Sequence, residues 1–391
     1  MAATKKIGIL TGGGDVPGLN PVIKSVVYGA SHIDRTVTGI RRGWEGLTHL
    51  DPSGSNDNLY ILPLTRENTR TVDRTGGTML HTSRTNPRKM SPAKLPKNIS
   101  PEDLKKLPFD GKVYDFTSIV IRNLERLKID CLVAIGGDDT LSFASALSKA
   151  GFPVVAVPKT MDNDVQSTEY CLGFSTAVTR ARDAITRQRT TVGSHERIGI
   201  FRIFGRDAGF TALYTAYVTG IRCLIPEYPF DMGRVCDILM DDKRKNSSNY
   251  ALVVASEGAV WKEGEVKEYG EADAFGHRKK ADIGEILGEE IRKRTGQEII
   301  TSDLTYDLRA GEPDAIDQIA GIGFANIALD LIRDGVSGRM TAIQGGRYAH
   351  VPIPEAALGP RKVDVATLYN TERYRPSYKS KLGDPLLFSG S

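Results

Sequence analysis

Short apolar segments that end in glycine or aspartate clusters recur along this chain, and a helical pattern follows each of them. Residues 7–10, 131–135 and 154–157 are segments of this kind, and residues 197–201 and 250–255 form a second group. Apolar runs of this length between turn residues are typical of buried strands, and their alternation with helices favours β-α units in a parallel sheet. The pattern therefore predicts an α/β protein with two sets of strands.

The chain has 391 residues, more than a single core usually accommodates, so we expect two or three domains. Apolar residues make up 40% and charged residues 26%, which are ordinary values for a folded globular protein. The 52 lysines and arginines barely exceed the 48 aspartates and glutamates. This balance suits small anions such as phosphate esters and does not indicate a nucleic-acid surface.

No apolar run approaches the ~20 residues needed to span a bilayer, and the first six residues do not resemble a signal peptide. The four cysteines lack CxxC spacing, and the six histidines lack metal-ligand spacing. We therefore expect free thiols, no zinc site, no membrane partner and a cytoplasmic location.

A glycine-rich loop, TGGGD at residues 11–15, follows the first predicted strand. Glycines leave consecutive backbone N–H groups accessible, and Pro17 is placed to begin a helix whose N-terminus favours an anion. We expect a phosphate here, although a simple chain reversal explains the loop equally well. The spacing matches neither GxGxxG nor GxxxxGK[ST].

The second loop, GGDDT at residues 136–140, carries two adjacent carboxylates. Asp138 and Asp139 repel each other unless a cation or a base lies nearby. Mg²⁺ that accompanies phosphates prefers oxygen ligands, so we expect Asp138 to bind it. Capping of the next helix by either aspartate is the alternative, and the two roles are compatible.

The third loop, residues 158–164, places Lys159, Thr160, Asp162 and Asp164 within six positions. It supplies a phosphate-binding cation, a hydroxyl and two carboxylates, which are the groups needed for phosphoryl transfer. Asp162 can accept a hydroxyl proton while Lys159 and Mg²⁺ keep it ionised. The composition favours this chemistry over a solvated turn.

Four motifs together resemble the phosphofructokinase family, and they occur in that family's order. They are GGDVPGLN at residues 13–20, GGDDT at 136–140, PKTMDND at 158–164 and FGR at 204–206. The resemblance runs from about residue 5 to residue 352. It implies two Rossmann-like three-layer α/β lobes with mainly parallel sheets and the active site in the cleft between them. The activity that it implies is transfer of a phosphoryl group to the 1-hydroxyl of fructose 6-phosphate in glycolysis, with Mg²⁺.

The resemblance also implies a division of the chain. Residues 1–173 with about 308–352 would form a lobe that binds the phosphoryl donor and Mg²⁺, and residues 174–307 a sugar-phosphate lobe. Residues 353–391 remain as a C-terminal extension, and residues 83–112 as an insertion rich in proline, lysine and arginine. We expect a homodimer or a homotetramer.

Residues of the transfer site carry over position by position. Asp162 matches the family's general base, and Asp138 matches its Mg²⁺-associated aspartate. Gly13 matches the glycine whose amide meets the transferring phosphoryl group, and Arg206 matches the arginine beside that group. Thr160 and Asp164 match the family's transfer-site partners, and we expect Gly14, in the glycine loop, to bind the donor.

The sugar site carries over in the same way. Glu257 matches the carboxylate that holds the sugar hydroxyls, and Phe204 and Gly205 match the backbone next to the sugar. Arg197 and Arg309 match arginines that grip the 6-phosphate, which suits a bidentate guanidinium.

The chain also departs from the ATP-using bacterial members of the family. Tyr306 stands where those members have histidine, as in relatives that use pyrophosphate. An arginine that those members send across a subunit boundary is replaced here, within residues 298–301 (EIIT). Whether Arg197 acts in its own or a neighbouring subunit therefore stays open.

Asp139 and Lys159 both replace glycines of ATP-using members. Asp139 would add bulk and negative charge where an α-phosphate and a nucleoside need space, while Lys159 would offer a cation to the leaving phosphate. We therefore expect inorganic pyrophosphate as the donor. The alternative is an ATP-dependent enzyme in which the two side chains only pair with each other.

Other classes of protein fit less well. A Rossmann oxidoreductase requires an acidic residue after the second strand, where residues 37–42 supply arginines. Lipid and NAD kinases have a GGD loop but lack the third loop, and a non-catalytic sugar-phosphate sensor would not need its aspartates. The basic stretch around Arg84, Arg88 and Lys89 lacks the interleaved aromatic residues of a nucleic-acid site.

Overall fold

The computed structural model of the chain describes residues 5–264, 268–269, 279–280 and 282–378. Its strands are β1 (Lys5–Thr11), β2 (Arg35–Ile40), β3 (Ile61–Leu64), β4 (Cys131–Gly136), β5 (Val154–Pro158), β6 (Ile198–Ile203), β7 (Arg222–Leu224), β8 (Ala251–Ser256), β9 (Glu268–Tyr269), β10 (Lys279–Lys280), β11 (Ile299–Asp303), β12 (Arg339–Gln344), β13 (Arg347–Pro352), β14 (Tyr369–Asn370) and β15 (Arg375–Pro376). Its α-helices are α1 (Leu19–Ala30), α2 (Trp44–His49), α3 (Asp57–Tyr60), α4 (Pro101–Lys106), α5 (Thr117–Arg126), α6 (Asp138–Lys149), α7 (Phe174–Ser194), α8 (Phe210–Thr219), α9 (Met232–Lys245), α10 (Ile283–Thr295), α11 (Ala315–Arg333) and α12 (Val365–Leu368).

The described residues form two compact units. The first comprises residues through Thr160, Val165–Gly173 and Gly311–Gly359, and the second comprises Met161–Asp164, Phe174–Ala310 and the residues from Pro360 onward. Neither unit is a continuous piece of chain.

The first unit contains a seven-stranded sheet in the order β13-β12-β5-β4-β1-β2-β3. Its edge strands β3 and β13 are antiparallel to their neighbours, and the other strands are parallel. Helices cover both faces, with α1 against α11 on one side and α2, α5 and α6 on the other. Because both faces are buried, the parallel strands are continuous apolar runs such as Cys131–Gly136.

The second unit contains a parallel four-stranded sheet in the order β11-β6-β8-β7. Helices α7 and α8 pack together and contact β6, β7 and β8, while α9 and α10 pack together and contact β6, β8 and β11. The two three-layer α/β units with mainly parallel sheets agree with the fold class expected from the sequence.

The five predicted strands are present as β1, β4, β5, β6 and β8, with ends within two residues of the prediction. Strands β12 and β13 form a hairpin around Gly345 and Gly346. The prediction that the first helix begins at Pro17 is wrong, because α1 begins at Leu19. Gly18 precedes it with φ 112, a left-handed conformation that interrupts the helix there.

Residues 83–112, the insertion rich in proline, lysine and arginine, are folded. A small core of Met90, Leu107, Phe116 and Ile119 holds this segment against α5. Met90 also pairs with Tyr114 through backbone hydrogen bonds in both directions, at 3.1 and 2.9 Å. The segment is therefore a folded insertion with its own packing.

Among the described residues, α11 is long and apolar enough by composition to cross a bilayer, but half of that stretch is buried within the protein. Asp317 on this helix is fully buried and accepts hydrogen bonds from the Tyr170 hydroxyl and the Gly173 N–H, both at 2.7 Å. These contacts identify α11 as a core helix of the first unit.

Candidate active site

The carboxyl ends of β1, β4 and β5 lie side by side in the first unit. Thr11 pairs with Ile135, and Gly136 pairs with Pro158, in the parallel ladder. The three loops that follow therefore leave the same edge of the sheet, which is where open α/β sheets bind ligands.

The glycine loop after β1 is tightly enclosed. A Cβ atom on Gly12 would lie 2.5 Å from Oγ1 of Thr140, so only glycine fits. Gly13 has φ 80, and Thr82 Oγ1 donates a 2.6 Å hydrogen bond to its carbonyl. The Gly13 N–H, which the family resemblance assigns to the phosphoryl group, donates to the Ser83 carbonyl at 3.0 Å. A phosphoryl oxygen would have to share or replace this bond.

Sequence reasoning did not identify residues 75–84 as part of the site. The buried Asn20 side chain donates to the Thr75 carbonyl at 3.2 Å and accepts from the Met79 N–H at 2.9 Å. These bonds hold the segment along the glycine loop, so that Arg84 follows directly after the residue bonded to Gly13. The sequence marked Arg84 only as part of a basic stretch. The hydrogen bond between Gly13 and Ser83, which brings Arg84 to the glycine loop, joins segments that are distant along the chain.

Lys159 is only 4% exposed, which is unusual for a lysine. Its ammonium donates a hydrogen bond to the Gly14 carbonyl and lies 3.3 Å from the point that a Cβ atom on Gly13 would occupy. Its backbone N–H donates to the Gly136 carbonyl at 3.0 Å. The side chain thus reaches from the third loop to the first and fills the space next to the glycines.

The two aspartates of the second loop occupy the first turn of α6. The residue at the N-cap is Gly137, which has no side chain, so neither aspartate is the capping residue. Asp138 is exposed and Asp139 is half-buried. Carboxylates in a first turn are favoured by the helix dipole, which offsets part of the repulsion between the pair.

No group of three or more histidine, cysteine, aspartate or glutamate side chains in the described part of the chain is arranged to hold a metal ion. Mg²⁺ at phosphoryl-transfer sites usually uses one or two carboxylates, with substrate phosphates and water completing its shell. The exposed Asp138 carboxylate, with Asp139 next to it, fits that kind of binding.

Three strand ends also converge in the second unit. Ile203 pairs with Ser256, and Arg202 pairs with Asp303, at the carboxyl ends of β6, β8 and β11. Gly205 follows with φ 127, and a Cβ atom there would lie 2.7 Å from the Ala208 carbonyl oxygen. The FGR loop therefore requires its glycine.

Glu257 lies between two arginines. Its carboxylate is 3.5 Å from Nη2 of Arg202 and 3.9 Å from Nε of Arg206. Arg202 also pairs with Asp303 at 2.6 Å. Sequence reasoning named Glu257 and Arg206 but missed Arg202, since nothing in the local pattern of β6 marks it.

Arg309 is held by aromatic rings. Its guanidinium carbon lies 4.7 Å from the centroid of the Phe204 ring and 5.8 Å from that of the exposed Tyr306. Its Nε is buried and makes no hydrogen bond to any described residue. Arg309 as a whole is only half-buried, so its terminal nitrogens are available to an anionic ligand such as a phosphate.

Burial and neighbouring carboxylates alter the acidity of Asp162. Burial raises the pKa of its carboxyl well above the ordinary value, and the nearby Asp164 and Glu257 carboxylates raise it further. Arg309 and Arg206 act in the opposite direction but do not cancel the effect. The pKa shift shows that the predicted base and the predicted sugar-binding residues share one electrostatic environment.

Arg197 is not part of this cluster within one chain. It directly precedes β6, at the amino end of the strand, whereas the FGR loop follows the carboxyl end. Its guanidinium lies 3.9 Å from the Glu298 carboxylate. A role for Arg197 at the sugar site therefore requires a second subunit.

Known proteins are similar to this chain over most of its length. The family model "Phosphofructokinase" matches residues 6–332. A curated relative from Streptomyces coelicolor, named pyrophosphate--fructose 6-phosphate 1-phosphotransferase, is 38% identical and the match covers 92% of this chain and 97% of that protein. A relative from Corynebacterium efficiens, named ATP-dependent 6-phosphofructokinase, is 35% identical over 92% of this chain and 95% of that protein.

A solved structure has the same fold. The pyrophosphate-dependent phosphofructokinase from Nitrosospira multiformis superposes with a TM-score of 0.77, covering 96% of this chain and 89% of that chain at 16% identity. The likeness shows the fold, and the family match with the identity to the curated relatives shows that the chain belongs to the phosphofructokinase family.

Proposed function

We propose that this chain transfers a phosphoryl group from inorganic pyrophosphate to the 1-hydroxyl of D-fructose 6-phosphate, and that the reaction is reversible. The products are fructose 1,6-bisphosphate and phosphate. The observation that carries the choice of donor is the buried Lys159 ammonium, fixed on the Gly14 carbonyl beside Gly13.

The donor follows from space and charge around the glycine loop. Glycine at position 159 would leave open the volume that the lysine side chain now fills. The remaining space favours a donor without a nucleoside, and the ammonium can hold the departing phosphate. Asp139 adds a negative charge in the adjacent loop, which disfavours the longer and more highly charged triphosphate.

The acceptor chemistry depends on Asp162. Oxygen of the sugar 1-hydroxyl attacks phosphorus, the bond to the departing phosphate breaks, and the hydroxyl proton moves to the Asp162 carboxylate. A carboxylate with a raised pKa is a stronger base once ionised, and Arg206 and Arg309 favour its ionised form. Arg206 is also available to the charge that develops on the transferring group.

A divalent cation completes the donor side. Mg²⁺ would bind at Asp138, with Asp139 beside it, and would neutralise charge on the pyrophosphate oxygens when bound. Thr160 would donate its hydroxyl to the donor, and residues 159–164 connect the donor-binding and sugar-binding residues along the chain.

The sugar is held by the second unit. Glu257 would accept hydrogen bonds from sugar hydroxyls. Asp164 would lie next to the base, and Gly205 would let the backbone approach the sugar closely. Arg309, positioned by Phe204 and Tyr306, would bind the 6-phosphate. Arg197 would reach this phosphate from a neighbouring subunit of a homodimer or homotetramer. The enzyme would act in glycolysis, in the cytoplasm.

The test is donor substitution with the purified chain, Mg²⁺ and fructose 6-phosphate. Pyrophosphate should support turnover and ATP should not; robust turnover with ATP alone would overturn the proposal. The double variant Asp139→Gly with Lys159→Gly should weaken the use of pyrophosphate. As a control, Lys149→Ala with Glu355→Ala removes the same two charges from an exposed pair in the same unit and should leave the preference for donor unchanged.

A second candidate donor is ATP, which the name of the relative from Corynebacterium efficiens specifies. The same assay decides between the two donors, and turnover with neither would reject both.

A further inference from the structure

The loop that carries the proposed base has a constrained backbone. Asn163, between Asp162 and Asp164, is buried and has φ 54. Asparagine adopts this left-handed conformation more readily than most residues other than glycine, but at a cost that neighbouring groups offset.

Arg361, from the C-terminal extension, binds this loop at two points. Its guanidinium Nη2 donates to the Asn163 carbonyl at 2.7 Å, and its backbone N–H donates to the Asp164 carbonyl at 2.6 Å. Asn163 is the residue with the left-handed backbone, and Asp164 is the second aspartate of the loop. One residue thus fixes the main chain directly after Asp162.

The same guanidinium contacts the element that follows the FGR loop. The Arg361 guanidinium carbon lies 4.3 Å from the centroid of Phe210, the first residue of α8. The next residue, Thr211, donates its hydroxyl to the Met161 carbonyl at 2.8 Å. The base loop, the start of α8 and Arg361 therefore form one packed group inside the second unit.

The extension has its own attachment to the second unit, independent of the Arg361 side chain. The Val363 N–H donates to Oε1 of Glu227, which also accepts from the Gly209 N–H, both at 2.9 Å. Further along, the buried Tyr369 donates its hydroxyl to the Cys223 carbonyl at 2.7 Å. A change confined to the Arg361 side chain should therefore leave the extension in place.

We propose that Arg361 is a positioning residue for phosphoryl transfer, which acts through the Asn163 carbonyl to hold Asp162 in the orientation that accepts the hydroxyl proton. This inference rests on the proposed function of Asp162 as the base. Arg361 acts on backbone carbonyls of the loop, so it affects the geometry of proton transfer more than the affinity for the sugar.

The variant Arg361→Met keeps most of the aliphatic stem and removes the guanidinium donors. We expect kcat to fall by about 10-fold to 100-fold, as for a misplaced catalytic group, while KM for fructose 6-phosphate changes by less than about threefold. Arg361→Lys, which can still donate to one carbonyl, should recover part of the loss. Lys362→Met removes an exposed cation from the adjacent position and should retain the parent kcat.

Hydrogen–deuterium exchange provides a readout that does not depend on turnover. In Arg361→Met, peptides covering residues 161–165 should exchange faster than in the parent and in Lys362→Met, while peptides covering 365–376 should be unchanged. Equal exchange in all three proteins, or a rise in KM with unchanged kcat, would overturn the role of Arg361. If Arg361→Met exchanges faster but the parent protein uses neither pyrophosphate nor ATP, the proposed function is rejected instead.

Discussion

The guanidinium of Arg309 lies over the face of the Phe204 ring, with 4.7 Å between the guanidinium carbon and the ring centroid. The Tyr306 ring meets the Phe204 ring edge to face, with centroids 6.4 Å apart. Rings hold the guanidinium plane without consuming its N–H donors. The arrangement therefore orients a cation while leaving it able to bind an anion through two parallel hydrogen bonds.

Arg309→Lys keeps the charge but loses the planar fork and the stacking on Phe204. We expect KM for fructose 6-phosphate to rise about tenfold, equivalent to ~1.4 kcal/mol, with a smaller effect on kcat. Steady-state kinetics measures both values. Arg333→Lys, a matched change on the exposed side of α11, should alter neither, and an unchanged KM in Arg309→Lys would contradict the phosphate-binding role.

Asp162→Asn should reduce turnover by roughly 10²-fold to 10⁴-fold, the usual contribution of a general base. It should also raise the melting temperature at neutral pH. The folded-state pKa of Asp162 is raised, so its ionised form destabilises the folded state once the pH exceeds the pKa of the unfolded chain, about 3.9.

Asp162→Asn should therefore lower turnover while it raises the melting temperature. The stability gain should be absent below about pH 3.9 and reach its full size above the folded-state pKa of Asp162. Thermal unfolding at a series of pH values from below about 3.9 to neutral measures this gain. Asp334→Asn, a change at an exposed position, is the control. A variant that loses activity and is equally destabilised at all pH values would indicate simple misfolding.

Asp164→Asn should move the acid limb of the pH profile. The Asp164 carboxylate raises the pKa of Asp162, so its removal lowers that pKa and extends activity to lower pH. The profile of kcat/KM reports this group in the free enzyme, and substrate ionisation is the same for parent and variant. An acid limb that stays in place would contradict the assignment of the limb to Asp162.

Gly205→Ala and Gly220→Ala compare a glycine whose Cβ position is crowded with one whose Cβ position is open. Both glycines have positive φ, but a Cβ atom on Gly205 would lie 2.7 Å from the Ala208 carbonyl oxygen, while one on Gly220 would meet nothing within 4 Å. We expect Gly220→Ala to lower the free energy of unfolding by ~1 kcal/mol and Gly205→Ala by clearly more. Urea unfolding measures both; equal losses would show that the FGR loop tolerates a side chain.

Much of this architecture could be predicted from the sequence because the relevant signals are local. Strands buried on both faces appear as continuous apolar runs, and the loops after β1, β4 and β5 carry their chemistry within a few residues of each strand end. The parallel order of these strands brings the loops together without further information.

The remaining features depend on contacts between distant segments. The bond from the Gly13 N–H to Ser83 and the bonds from Arg361 to residues 163 and 164 link positions with no shared local pattern. Two further features depend on the path of the backbone rather than on residue type. They are the left-handed conformation of Gly18 and the separation of Arg197 from the FGR loop.

The position of β12 in the first sheet has a consequence for synthesis on the ribosome. β5 pairs with β4 on one side and with β12 on the other, but β12 begins only at Arg339, after the whole of α7 through α11. Until then, the nascent chain presents β5, an apolar strand, as an open sheet edge that other chains can pair with. We expect the newly made protein to depend on chaperones during that interval, and a release of the chain before residue 339 to yield aggregates.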